Sequence, residues 1–215
     1  MMIGFAQETL VNREKMKLGH LKITWKDVFE PNVLPAAFVM YLTAICSGII
    51  FVVTPDISGM LHIENKGFFF GFYVLSTMIV RLFTSSFSDK IGRPQTLLIG
   101  VFILIISMLL IATVNSSQGY IIAAIVFGFA TGISSPTLFA WTADLSHEDR
   151  RGVGAGTLFL ALEFGIISGS LITLFVYDNG PSGVYKAFTI GACSAGLALL
   201  VLIFQVRKSR VNRAV

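Results

Sequence analysis

Six runs of about twenty apolar residues, each bounded by charged or turn-forming segments, decide what this 215-residue chain can fold into. They cover Val33–Val53, Gly67–Phe87, Thr96–Val114, Tyr120–Ala143, Val153–Tyr177 and Ala187–Val206. A helix rises about 1.5 Å per residue, so about 20 apolar residues cross a hydrocarbon core of about 30 Å. Helices are the required form, because lipid offers no hydrogen-bond partner to an unpaired sheet edge. The segments Thr54-Pro55-Asp56, Asn115-Ser116-Ser117 and Asn179-Gly180-Pro181 read as turns between the runs. With 54% of residues apolar and 13% charged, about half the charged share of a soluble domain, a water-soluble globule is excluded. The expectation is an all-α membrane protein of six transmembrane helices.

The basic residues set the orientation, since cytoplasmic loops carry the excess of Lys and Arg. Arg13, Lys15, Lys17, Lys22 and Lys26 precede the first run, Lys90 and Arg93 lie in the second connection, and Arg150 and Arg151 lie in the fourth. Arg207, Lys208, Arg210 and Arg213 follow the last run. Only Lys66 and Lys186 fall on the opposite side, with Arg81 inside a run. Both termini are therefore expected in the cytoplasm, with a basic leader over residues 1–32, a six-span bundle over 33–206 and a basic tail over 207–215. The net charge of +4 is spread over loops as a topology signal that can also touch anionic headgroups, so no nucleic-acid partner is expected. Cys46 and Cys193 sit in apolar runs with no CxxC pattern or nearby His, and read as small packing residues rather than a metal site or disulfide. The first twenty residues lack the apolar stretch and small-residue cleavage site of a signal peptide.

Between the second and third runs stands Arg81-Leu-Phe-Thr-Ser-Ser-Phe-Ser-Asp89-Lys90-Ile91-Gly92-Arg93-Pro94. Gly92 permits a tight reversal, and Pro94 suits the first turn of the next helix. The segment resembles the signature of the major facilitator superfamily (MFS), G-x-L-x-D-R/K-x-G-R-R/K, matching it at Asp89, Lys90, Gly92 and Arg93. Ser85, Phe87 and Pro94 stand where the signature has Gly, Leu and a second basic residue. The fourth connection, Ala143-Asp144-Leu-Ser-His-Glu-Asp-Arg150-Arg151-Gly152, resembles the matching loop of that family. The resemblance spans about residues 8–210 and implies one six-helix half of the MFS fold, built as two inverted three-helix repeats. The leader Glu8–Lys17 resembles the basic loop joining the halves, so the C-terminal half is the closer likeness. By resemblance, Asp144 would pair with Arg93, and Asp89 would face the start of the fifth helix near Gly152–Gly156, where exposed N–H groups favour a carboxylate. These contacts would latch the cytoplasmic side in one conformation.

On the first run Thr43, Ser47 and Thr54, and on the fourth Thr131, Ser135 and Thr142, share the spacing i, i+4, i+11, which puts three hydroxyls near one face of each helix. Two readings stay open: they line a cavity, or they bond their own helix backbone. Pro136 should loosen the fourth helix. Tyr41 and Trp141 are aromatic candidates for stacking on a solute, with interfacial anchoring the other reading of Trp141. Four Gly-x-x-x-Gly pairs, Gly67/Gly71, Gly128/Gly132, Gly152/Gly156 and Gly165/Gly169, predict close helix approaches. The third run is apolar nearly all round and is expected against lipid.

Arg81 and Glu163 are ionisable groups within runs, and such groups are functional candidates by default. Counted along the runs they differ in depth by about 6 Å, which long side chains can bridge, so Glu163 reads either as a coupling or substrate carboxylate, or as a structural partner of Arg81, or as a protonated, hydrogen-bonded packing group. His20, His62 and His147 lie outside the runs with no nucleophile or paired carboxylate beside them, so no enzyme, catalytic residue, metal or cofactor is expected. No phosphate-binding loop supports ATP-driven transport. The resemblance implies a secondary carrier of the cell (plasma or inner) membrane that moves a small solute, with protons, by alternating access. The partners it implies are the lipid bilayer and either a missing second six-helix half or a second copy of this chain. An inactive fragment or a scaffold is the reading from a different class.

Overall fold

The computed structural model describes residues 29–214, and at 85, 86 and 208–214 the backbone alone. Residues 1–28 of the expected leader lie outside the described residues. Six helices follow one another: α1 (Leu34–Met60), α2 (Phe68–Ile91), α3 (Arg93–Ala112), α4 (Ser117–Leu145), α5 (Arg151–Val176) and α6 (Pro181–Ala214). One-turn 3-10 helices, Pro31–Val33 and Glu148–Arg150, lead into α1 and α5, and the described residues contain no strand. Five of the helices are long and apolar enough to cross a membrane, while α2 contributes a shorter apolar stretch, Phe68–Thr84. The chain is an all-α membrane protein.

The helix boundaries depart from the turn signals in two places. Thr54-Pro55-Asp56 is not a turn: α1 continues through Pro55 to Met60. Pro55 has no N–H to give to the preceding turn, but side chains from another helix brace the site. The Tyr120 hydroxyl of α4 donates to the Thr54 carbonyl at 2.7 Å and lies 3.0 Å from the Ser58 hydroxyl. At the other end of the chain, α6 runs on through the basic residues to Ala214, so no helix end marks the expected boundary at 206. Ser116, in a segment read only as a turn, caps α4 by accepting from the Gly119 N–H at 3.2 Å.

The packing follows an internal symmetry. α1 lies along α5 and α4 along α2; α3 packs on α4, α6 on α1, and α3 and α6 pack on each other. Exchanging α1–α3 with α4–α6 maps this pattern onto itself, as two inverted three-helix repeats require. α1 is the most enclosed span, and Val39, Cys46, Ile49, Ile50 and Val53 are fully buried in it. The third span is not simply a lipid-facing rod: Leu97, Gly100, Val101, Leu104 and Met108 form a buried stripe, and Phe102, Ile106 and Leu109 face outward.

Only two of the four glycine pairs make close crossings. On α5 a Cβ at Gly165 would stand 2.5 Å from the Tyr41 carbonyl oxygen of α1, and one at Gly169 would overlap the Ile45 carbonyl. On α4 a Cβ at Gly128 would stand 2.6 Å from the Tyr73 carbonyl of α2, and one at Gly132 would stand 3.0 Å from Val80. Gly71, Gly152 and Gly156 have nothing within 4 Å of a Cβ position, so the pairs they belong to do not close a crossing within this chain. Conversely Gly48, in no Gly-x-x-x-Gly pair, packs its backbone against Ile166 of α5.

Candidate functional site

The turn between α2 and α3 is one residue long. Gly92 ends one helix and begins the next at φ 102° and ψ 146°, a region essentially closed to residues with a side chain. Its conformation sends α3 back along the bundle and swings Arg93 inward. The Arg93 guanidinium then meets three partners: an ion pair with Asp89 one turn earlier, a second with Asp144 at the end of α4 (3.1 Å), and a hydrogen bond donated to the Ser88 hydroxyl at 2.9 Å. Three helices are thus joined through one side chain. Replacing Gly92 by valine is expected to cost about 1–3 kcal/mol through backbone strain and to loosen this cluster; thermal unfolding of the solubilised chain measures it.

Around the cluster lies a cavity of about 400 Å³ lined by Ser88, Asp89, Arg93, Gln95, Trp141 and Asp144 among others. Trp141 is buried at this end, against the cavity. Lys90 is exposed. The expected contact of Asp89 with the start of α5 is not made within the chain, because the Asp89 carboxylate turns to Arg93 and α5 lies along α1 instead.

Thr43 and Ser47 of α1 and Thr131 and Ser135 of α4 do come together. They line one cavity of about 40 Å³ between the two helices, with Ser134 beside them. That volume accommodates about one water molecule. Thr43 and Thr131 donate to backbone carbonyls one turn back, at Val39 (3.0 Å) and Phe127 (3.0 Å). Thr43 and Thr131 thus bond their own helix and line the cavity at once. Ser134, which the spacing argument missed, is buried with no hydrogen-bond partner for its hydroxyl. Thr54 and Thr142, the third members of each set, are buried outside this cavity. Tyr41 is separate from the group: its hydroxyl meets Ser168 of α5 at 3.1 Å, and its ring lines an apolar cleft of about 360 Å³ with Phe38, Leu160 and Phe164.

Arg81 and Glu163 are not brought together. Each is exposed, on α2 and α5 respectively, helices that lie against α4 and α1 rather than each other, and no ion pair joins them among the described residues. Position along a helix fixes depth in the membrane but not lateral position, so equal depth does not make two charges neighbours. An unforeseen charge pair appears at the end of the bundle that holds Arg93. Glu30, 3% exposed, lies 2.7 Å from the Arg150 guanidinium, donates its backbone N–H to the Thr157 hydroxyl, and shares Arg150 with the Phe29 carbonyl. At the opposite end Tyr177 stands near Asp56; burial first and that carboxylate second push its phenol up to about 12.

The comparisons with known proteins agree with this architecture. The family model described as Major Facilitator Superfamily matches residues 33–214. The tetracycline resistance protein, class E, of Escherichia coli is 27% identical over 178 residues, 80% of this chain and 43% of that protein. The 3-(3-hydroxy-phenyl)propionate transporter of E. coli K12 is 32% identical over 135 residues, 61% of this chain and 32% of that protein. Multidrug resistance protein 2 of Bacillus subtilis is 21% identical over 164 residues, 75% of this chain and 40% of that protein. The chain thus matches less than half the length of these relatives, and with its motif, its six helices and the matched span it belongs to the Major Facilitator Superfamily.

Proposed function

We propose that this chain is one half of a secondary carrier that moves a small organic solute across the plasma or inner membrane by alternating access, coupled to protons. The observation that carries the reading is the Arg93 cluster. An ion-pair joint linking α2, α3 and α4 at one end of the bundle is what a gate needs, because it holds one arrangement yet can break as a unit. The relatives, two resistance proteins and a 3-(3-hydroxy-phenyl)propionate transporter, suggest an organic solute. A single bundle cannot enclose a path, so a second six-helix bundle completes it; Asp89 and the open Gly152–Gly156 face of α5 are the parts we assign to contacts with that bundle. The excess of basic residues at the Arg93 end supports a cytoplasmic position for that end and for both termini.

Within this reading Glu163 is the coupling carboxylate, since it is exposed at mid-span where an ionisable group serves an ion path. In proteoliposomes carrying an internal pH-sensitive dye, tetracycline or 3-(3-hydroxyphenyl)propionate is expected to drive proton movement, and Glu163→Gln is expected to abolish it while leaving solute exchange intact. Proton flux unchanged by Glu163→Gln removes that residue from the coupling.

A further inference from the structure

Adding 88 to the numbers of Thr43, Ser47 and Thr54 on α1 gives Thr131, Ser135 and Thr142 on α4, and adding it to Asp56 gives Asp144. The carboxylate that Arg93 holds therefore has an equivalent in the other three-helix repeat. Because the repeats are inverted, Asp56 lies at the end of the bundle opposite Arg93. Its surroundings correspond as well. α2 and α4 run parallel, and where they end Arg93 of the α2–α3 joint meets Asp144. α1 and α5 also run parallel, and where they end Tyr177, the first residue after α5, stands beside Asp56. Each joint carries one residue at positive φ, Gly92 at 102° and Asn179 at 57°. As Arg93 joins three helices, Tyr177 reaches α1 through Asp56 and α6 through Gly183, where a Cβ would stand 2.9 Å from the tyrosine ring. Asp178 steadies this joint, accepting from the Gly180 N–H at 3.2 Å and lying 3.6 Å from Lys186.

The two joints differ in one respect. Arg93 is bonded to Asp144, whereas the Tyr177 hydroxyl is buried beside Asp56 without a well-formed hydrogen bond among the described residues. A buried hydroxyl that does not engage the carboxylate next to it is costly, and a small shift of α1 against α5 satisfies it. α4 is placed to deliver that shift. It carries Asp144 at one end, and near its other end Tyr120 donates to the Thr54 carbonyl and meets the Ser58 hydroxyl. It thus grips α1 two residues to either side of Asp56.

We propose that Asp56 and Tyr177 form a second latch, which closes when the Arg93–Asp144 latch opens, and that α4 couples the two through Tyr120. The assignment rests on the reading of the bundle as part of an alternating-access carrier, and it supplies a contact specific to the other state, without which no second state is held.

The test follows amide hydrogen exchange at both ends of the protein, taken as its gene encodes it, in nanodiscs made from native membranes. Arg93→Ala is expected to speed exchange about tenfold over residues 88–96 and 142–150, and to slow it about tenfold over residues 54–61 and 175–183. Asp144→Asn gives the same pattern and serves where Arg93→Ala fails to fold. Adding Tyr177→Phe to either variant is expected to abolish the slowing, while Tyr177→Phe alone, which removes a contact not made in this arrangement, changes neither end. Tyr120→Phe is expected to keep the response near Arg93 and lose the one at Asp56. Exchange that speeds up at both ends in Arg93→Ala and Asp144→Asn overturns the alternation, and slowing that survives Tyr177→Phe overturns the second latch. Solute flux by a protein whose Asp56 end ignores Arg93 overturns the latch and leaves the carrier reading standing. Alternating exchange in a protein that moves no solute does the reverse.

Discussion

One methyl group added at Gly169 is expected to destabilise the bundle by about 1–3 kcal/mol, while the same methyl at Gly156 is expected to stabilise it by about 0.4–1 kcal/mol. Both glycines belong to Gly-x-x-x-Gly pairs on one helix, and both lie in regular α-helix, so intrinsic preference favours alanine at each. The difference is tertiary. At Gly169 the new Cβ would overlap the Ile45 carbonyl and stand 3.1 Å from its Cα; these are backbone atoms of α1, which cannot turn aside as a flexible side chain could. Relief requires α1 and α5 to part along the crossing that Gly48 and Gly165 also close. At Gly156 nothing lies within 4 Å, so only the helix gain remains. The thermal midpoint of each solubilised variant, read by size-exclusion after heating, is the measurement. Equal shifts in the same direction would mean that the crossing at Gly169 is not as tight as described.

That pair shows where the sequence was readable and where it stopped. The number of helices followed from the apolar runs, because the length of a span is fixed by the bilayer. Which glycines close a crossing did not, because a small residue permits approach without stating whether a neighbour comes. Pro55 misled for a related reason: its missing N–H argues for a break, yet α1 continues through it in a buried crossing where Tyr120, 65 residues away in sequence, bonds the neighbouring Thr54 carbonyl. The Arg93–Asp144 contact was implied by resemblance, whereas Ser88, inside the same motif, gave no signal of its own. The even spacing of Thr43, Ser47, Thr131 and Ser135 marked the faces that meet between α1 and α4, but not Ser134, one residue off that spacing. Glu30 was hidden by its surroundings. In a leader rich in charge, one carboxylate before a proline has nothing to distinguish it until the start of α5 is known to lie against it.

Glu30 also carries the second large effect. Changing Arg150 to alanine is expected to cost about 3 kcal/mol, the lower end for breaking a buried pair, since the Arg150 side chain is 35% exposed and Glu30 only 3%. The loss arises less from the attraction removed than from the carboxylate left behind without a countercharge. Glu30→Gln should therefore cost less, because a neutral amide leaves no buried carboxylate behind and the backbone bond to Thr157 is untouched. Combining Glu30→Gln with Arg150→Ala should recover part of the single-variant loss, a coupling that a double-mutant cycle on thermal unfolding reads directly. Strict additivity would mean that the two groups do not interact. The position of the pair gives the coupling a second consequence. Asp144 and Arg150 bracket the α4–α5 connection, the first held by Arg93 from the α2–α3 turn and the second by Glu30 from the start of α1. Freed at Arg150, that connection keeps one anchor instead of two. Strain introduced at the entry to α1 should then no longer reach the Arg93 cluster through it.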